Sequence, residues 1–344
     1  MRALVVGVGH LGKEHARIYT ELPGVELVGV VDRDPERARE IADRLTATGK
    51  RKIWHGTSGA QAPADIDLVS VVVPTPLHLE VARPFLEAGK AVLVEKPLAS
   101  TLAEADELLA IAERSGSVLQ VGHIERFNPV VVAALPYLKN PLFIECDRIH
   151  PFSLRATDVS VVLDLMIHDI DLILHFIGGE LENIDAFGAS VLSPTEDLAT
   201  ARLVFKSGCC ALVKTSRVAL NRSRKIRVFG ERSYLSLDLV QRTGFRIFLA
   251  EGYDPQQFLD QMGRISAPEG EAAFLAKVLR QESLVIETYE PLKAEIESFV
   301  SAARERRTPV VTGREGRRAM AAAAEITRSI GEHRRRVASM LAKK

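Results

Sequence analysis

The sequence predicts an α/β protein of two domains, the first built on a doubly wound parallel sheet. Three observations predict it. A β-branched run at 3–6 enters a glycine-rich turn, a helical pattern follows, and a second apolar run at 25–31 ends at an acid. The stretch 68–73, LVSVVV, is apolar at all but one position, as strands covered on both faces are. The chain has 344 residues, more than one ordinary domain, and beyond residue 122 its strand-like runs no longer alternate with helices. The expected division is a dinucleotide-binding Rossmann domain over 1–121 and a substrate-binding and oligomerisation α/β domain over 122–344.

The first turn reads Gly7-Val8-Gly9-His10-Leu11-Gly12, with a helix expected over 13–22 and Asp32 twenty residues after Gly12. A glycine loop alone is a weak signal, but strand, loop, helix, strand and terminal acid together are a strong one. Gly7 permits the tight turn, Gly9 admits a pyrophosphate to the backbone, and Gly12 lets helix and strand pack closely. The helix start offers N–H groups and the positive end of its dipole to phosphates. The whole loop, His10 and Leu11 included, is expected to contact the cofactor. Asp32 would accept from the adenosine ribose hydroxyls and repel a 2′-phosphate, so NAD is expected rather than NADP. Arg33 either softens that repulsion or stacks on adenine.

Asp34 and Pro35 suit the cap and first position of a helix over 35–45. The strand 68–73 ends at Pro74-Thr75-Pro76, with His78 just beyond. Ligand crevices lie outside the carboxyl ends of parallel strands, which makes Thr75 and His78 candidate cofactor contacts. A helix over 79–88 stops at Gly89, and a strand over 91–94 stops at Glu95-Lys96-Pro97. Glu95 and Lys96 therefore point toward the same crevice, and the Lys96–Pro97 bond is a candidate cis peptide.

The stretch 159–178, VSVVLDLMIHDIDLILHFIG, is the most apolar in the chain, yet Asp164, His168, Asp171 and His175 recur at spacings of four, three and four. On a helix they fall on one stripe. Buried carboxylates and imidazoles need partners, so the stripe either faces a ligand cleft or forms a self-satisfied network. Asp164 and His175 are roughly 16 Å apart at the helical rise, too far to share one ion, and no metal site is expected.

Composition excludes several classes. Lys+Arg and Asp+Glu number 45 each, which argues against bulk binding to nucleic acid or an anionic membrane. The three cysteines have neither zinc nor disulfide spacing, and no 18-residue apolar run is present. With a strand starting at residue 3 and no room for a signal peptide, the chain reads as soluble and cytoplasmic.

GVGHLG, VVD at 30–32, PTPLH at 74–78, EKP at 95–97 and DLMIHDID at 164–171 together resemble the Gfo/Idh/MocA oxidoreductase family, and the resemblance continues through 290–326. It implies a C-terminal α/β domain with an open, largely antiparallel sheet that supports a homodimer or homotetramer. It implies catalytic roles for Lys96, Asp164 and His168 around the reacting carbon of a sugar or sugar nucleotide, the same three residues also binding substrate. Many members carry an Asn or aromatic residue and an Arg pair after the sixth strand. Here GHIERFNP stands at 122–129, a variant that resembles the branch containing UDP-N-acetylglucosamine 3-dehydrogenases. A UDP-sugar would need a diphosphate contact, for which Arg155, in RIHPFSLRATD at 148–158, is the first candidate. An aminotransferase is a possible functional partner. The competing readings are an NAD-dependent glycosidase of the same fold and a non-catalytic NAD-binding sensor.

Overall fold

The computed structural model describes residues 1–48, 51–152, 159–250, 275–276 and 278–341. Arg2–Val6 (β1) forms a strand because four apolar residues follow one polar residue with no breaker among them, and Ala3, Leu4 and Val5 are wholly buried. Gly12–Glu21 (α1) returns over the sheet to Glu26–Val31 (β2), and Pro35–Thr48 (α2) leads to the short Trp54–Gly56 (β3). Leu68–Val71 (β4), His78–Glu87 (α3), Ala91–Glu95 (β5), Leu102–Ser115 (α4) and Leu119–Gly122 (β6) complete the alternation. β4 stops two residues before the expected end, because Val72 and Val73 already belong to the loop that rises to Pro74.

The six strands are parallel in the order β3-β2-β1-β4-β5-β6. The order reverses between β1 and β4, and a crevice opens at such a switch point beyond the carboxyl ends of the strands. Both the glycine loop and the PTPLH segment emerge there. α4 is held at its start by a reciprocal cap between Thr101 and Glu104 and at its end by Gly116 at φ +66°.

The first compact unit comprises Met1–Phe127 and Tyr289–Ala324. The returning helix Pro291–Glu305 covers one sheet face: its Leu292, Ile296, Phe299 and Val300 share a core with Ala3, Val5, Ile18 and Tyr19. Gly313 and Gly316, at the start of the last helix Gly313–Leu341, lie so close to Leu109 and Val121 respectively that a Cβ on either would approach within 2.7 Å of a side chain.

The second unit comprises Asn128–Thr288 and Glu325–Lys344. After Pro129–Ala134 (α5), its strands are Pro141–Ile149 (β7), Leu181–Ala189 (β8), Leu198–Phe205 (β9), Cys210–Ser216 (β10), Ser223–Gly230 (β11), Ser233–Asp238 (β12), Thr243–Leu249 (β13) and Leu279–Ser283 (β14). They form one sheet in the order β14-β13-β12-β11-β7-β10-β9-β8. Every pairing is antiparallel except β10 with β7. The strand-like runs beyond residue 122, among them 201–205, 211–216, 226–229 and 234–237, fall inside these strands.

One sheet face buries Ile144, Cys146, Leu203, Val213 and Val228. The other carries Phe143, Phe229, Tyr234 and Phe245 in successive ring contacts of 5.7, 5.0 and 6.0 Å, with Leu212 still 37% exposed. No helix among the described residues is long and apolar enough to cross a membrane.

Candidate active site

The glycine loop is shaped by what its three glycines lack. Gly7 sits at φ +89°, and a Cβ there would come within 2.4 Å of the Val72 carbonyl oxygen. At Gly12 a Cβ would lie 1.8 Å from the Gly7 carbonyl oxygen, so the helix start and the strand end touch through backbone alone. Around Gly9 the same construction meets no heavy atom within 4 Å. That open space above the start of α1 suits a pyrophosphate, which needs close backbone approach and N–H donors. His10 and Leu11 are exposed on the loop.

Asp32, at the end of β2, is 6% exposed. Its Oδ2 accepts from the Val8 N–H at 2.9 Å, and its Oδ1 accepts from the Asp34 N–H at 3.0 Å and from Arg37 at 3.3 Å. The carboxylate is thus fixed beside the loop with lone pairs left for ribose hydroxyls. Arg37, one helical turn along α2, is the cation that partners Asp32. Arg33 is exposed.

Thr75 opens the short turn Thr75–Leu77 and is half-buried at the crevice. His78 departs from its expected role. Its ring is 1% exposed, with Nδ1 2.9 Å from the Pro97 carbonyl oxygen and Nε2 2.9 Å from that of Val73. A neutral ring donates one N–H to one of these carbonyls, and the imidazole lies buried between the segments that follow β4 and β5. Burial pushes its pKa below the ordinary histidine value, against the pull of those carbonyls. Lys96, half-buried, follows β5, and the Lys96–Pro97 bond is cis. Glu95 is 8% exposed and turns its Oε2 back to accept from the Lys96 N–H at 3.2 Å.

In the second unit the apolar stretch is not one regular helix. Val162–Met166 is a π turn, its Ile167 N–H donating to the Val162 carbonyl five residues back, and Ile167–Ile177 (α6) continues as α-helix. A π turn inside a helix displaces the side chains on one side of it and recurs at functional sites. Asp164 lies in the turn and His168 one residue into α6, both half-buried. The stripe divides beyond them: Asp171 is 1% exposed, whereas His175 is on the surface.

Asp169, beside His168, is the anchor. It is 3% exposed and accepts from Arg148 Nε at 2.7 Å and from a terminal nitrogen at 2.8 Å, tying α6 to β7. Arg148, 2% exposed, is therefore committed to the protein and not to a substrate phosphate. Burial, with the charge of Asp169, pushes the neighbouring Cys146 thiol well up.

Before the π turn, the Val159 carbonyl oxygen accepts from Arg217 at 2.9 Å and from the Thr195 hydroxyl at 3.2 Å. Arg217 also pairs with the wholly buried Asp197 at 2.8 Å, whose Oδ2 collects the N–H groups of Val191, Leu192 and Ser193. Burial opposes ionisation of Asp197, but the Ser193 hydroxyl, the Leu192 N–H and Arg217 together hold its carboxyl far below the usual carboxylate range. Arg155 lies outside the described residues. No group of three or more His, Cys, Asp or Glu among the described residues could hold a metal ion.

The glycine loop, its acid and the strand order all describe a dinucleotide site, and comparison with known proteins agrees. Residues 1–123 match the profile of an oxidoreductase family with an NAD-binding Rossmann fold, and residues 147–236 match the GFO/IDH/MocA C-terminal domain. A UDP-N-acetylglucosamine 3-dehydrogenase from Acidithiobacillus ferrooxidans is 34% identical over 95% of this chain and 96% of its own. The chain belongs to the Gfo/Idh/MocA family. It is an NAD-dependent oxidoreductase.

Within that family, the inositol 2-dehydrogenase of Rhizobium meliloti is 24% identical over 96% of this chain and 97% of its own. A crystal structure of the Acidithiobacillus enzyme superposes with a TM-score of 0.84 at 33% identity, covering 96% of this chain and 97% of that one. A levoglucosan dehydrogenase solved with NADH shares the fold at a TM-score of 0.79 and 18% identity, over 96% of this chain and 97% of that one. For this Gfo/Idh/MocA member, sequence reasoning singled out the loop, Asp32, Lys96, Asp164 and His168 as candidates. It missed Val8 and Arg37 as partners of Asp32, Asp169 under α6, and Arg217 with Asp197. Only Asp169 carried a usable signal: an acid beside His168 on an otherwise apolar helix needs a buried cation.

Proposed function

We propose that the protein oxidises a secondary hydroxyl of a nucleotide sugar, UDP-N-acetylglucosamine at C3, to the 3-keto sugar. The single observation that carries this reading is the near full-length likeness to the Acidithiobacillus enzyme, whose name states that substrate and carbon. Bound NAD supplies the hydride acceptor for this oxidation. Gly7, Gly9 and Gly12 shape the backbone for its phosphates, with His10 and Leu11 beside them. Asp32 receives the adenosine ribose, and Thr75 and Glu95 border the crevice.

His168 takes the hydroxyl proton, since an imidazole titrates in the right range and this one is half-buried on a rigid helix. Lys96 donates a hydrogen bond to the same oxygen and stabilises its developing negative charge. Asp164, one turn before His168, orients the imidazole or fixes a sugar hydroxyl. Arg155 is the candidate for the substrate diphosphate.

The aromatic face of the second sheet, with Phe143, Phe229, Tyr234 and Leu212, supports a homodimer or homotetramer. Three free cysteines suit a cytoplasmic setting, and an aminotransferase would consume the ketone. The test is to incubate the protein and NAD with a panel of sugars and UDP-sugars and follow NADH at 340 nm, with an aminotransferase coupled to remove ketone. NADH formation specific to UDP-N-acetylglucosamine is expected. Glycoside cleavage without net NADH would replace this reading with a hydrolase, and cofactor binding without any turnover would replace it with a sensor.

A further inference from the structure

A second set of polar groups lies under the crevice, inside the first unit. His15, on α1, is wholly buried, as are Ser70 on β4 and Tyr19 one turn along α1. The Tyr19 hydroxyl is 2.9 Å from Ser70 Oγ, and Ser70 Oγ is 3.3 Å from His15 Nδ1. His15 Nε2 is 3.2 Å from Glu95 Oε1, approaching off the N–H axis, and the other Glu95 oxygen accepts from the Lys96 N–H. Four side chains from α1, β4 and β5 thus run in one line from the core to the peptide of Lys96.

Chemistry sets the polarity of this line. A carboxylate facing Nε2 requires the proton there, since two lone pairs would repel. With a single ring proton on Nε2, Nδ1 is left to accept from the Ser70 hydroxyl. Ser70 in turn accepts from the Tyr19 phenol, which burial keeps protonated by raising its pKa. The two hydrogen bonds, Tyr19 to Ser70 and Ser70 to His15, then each have one donor and one acceptor.

A second observation shows that room for the carboxylate is built into the sheet. Gly122 pairs with Glu95 across β6 and β5, and a Cβ on Gly122 would meet Glu95 Oε1 at 2.7 Å and Oε2 at 2.9 Å. The carboxylate lies in the space that a side chain at 122 would fill. His15 restrains it from α1 while Gly122 makes its seat.

We propose that His15 is a positioning residue for Lys96, acting through Glu95: imidazole and glycine seat together fix the carboxylate that holds the Lys96 main chain. This rests on the reading of Lys96 as a contact of the reacting hydroxyl. A catalytic group displaced by about 1 Å can lose up to 10²-fold in rate.

The experiment uses the full chain with NAD and UDP-N-acetylglucosamine. His15→Ala is expected to lower kcat by about 10- to 100-fold, with the Kd for NAD within about threefold of the wild type. His15→Gln, whose amide N–H reaches toward Glu95, recovers part of that loss. Glu95→Gln lowers kcat as well, and the double variant is no worse than the poorer single one. Independently of turnover, in protein labelled with 15N-lysine, the Lys96 amide resonance moves upfield in both His15→Ala and Glu95→Gln. If His15→Ala does not fold, His15→Gln and Glu95→Gln carry both readouts.

An unmoved Lys96 resonance overturns the proposal, as does a His15→Ala enzyme with kcat within twofold of the wild type. So does a loss confined to thermal stability and NAD affinity, which marks a packing role. Full activity in Lys96→Ala sinks the catalytic reading itself, whereas an enzyme that needs Lys96 but is indifferent to His15 sinks only the positioning role.

Discussion

The main-chain N–H of Val8 donates to Oδ2 of Asp32 at 2.9 Å, joining the glycine loop to the acid that ends β2. This bond ties the two halves of the dinucleotide motif to each other. Replacing Asp32 therefore removes a ribose acceptor and loosens the loop at once. Asp32→Ala should weaken NAD binding by roughly 10- to 100-fold, the scale of hydrogen bonds to a charged group. It should also narrow the preference for NAD over NADP, because the charge that repels a 2′-phosphate is gone. Fluorescence titrations with both cofactors measure this, and an unchanged ratio counts against Asp32 as the ribose contact.

Gly9 and Gly12 separate binding from folding. Gly9→Ala adds a methyl into open space, so its thermal midpoint should stay within a few degrees of the wild type while NAD affinity falls at least about tenfold. Gly12→Ala places a Cβ 1.8 Å from the Gly7 carbonyl oxygen and should destabilise the fold itself. Equal melting curves for the two variants would show that the loop tolerates more movement than its contacts suggest.

His78 gives stability a pH dependence. Burial depresses its pKa in the folded protein below the ordinary histidine value of about 6.5, so the unfolded chain binds a proton that the folded chain refuses. Its contribution is complete above about pH 6.5 and is lost as pH falls toward the folded pKa. Urea unfolding at pH 7.5 and 5.5 should show lower stability at the acid value. His78→Gln should be weaker at both, with a shallower dependence between them.

Arg217 and Asp197 form a pair with side chains 4% and 0% exposed. Removing one partner of a buried pair costs about 3–5 kcal/mol because the other charge is stranded. Arg217→Ala should lose stability on that scale by denaturant unfolding. It should also lower turnover, since the Val159 carbonyl that Arg217 holds begins the segment bearing Asp164 and His168. Stability lost without turnover would confine the pair to the loop 190–197.

Much of the first unit was legible because its signals are local. β1 is a continuous apolar run, Gly7 needs a positive φ, and Asp32 follows at the spacing that one βαβ unit sets. The π turn was not legible: 162–166 is as apolar as the helix after it, and one longer hydrogen bond leaves the hydrophobic pattern intact. His78 read as a ligand contact because sequence position gives the strand end but not the direction of a ring. His15 gave no signal at all, since a histidine one turn into a helix is common and its partners, Ser70 and Glu95, lie 55 and 80 positions away. Long-range polar pairing is what a one-dimensional pattern cannot carry.

The helix Pro291–Glu305 has a consequence for how the protein is made. Its Leu292, Ile296 and Phe299 complete the core begun by Ala3 and Val5, yet the ribosome delivers them almost three hundred residues later. During that interval one face of the nascent parallel sheet lacks its apolar cover. The cofactor-binding unit is thus among the last parts of the chain to be finished, although it is the first to be translated. A polypeptide released after residue 127 should emerge sticky and incomplete, and the cell must shelter that surface until the carboxyl-terminal helices arrive.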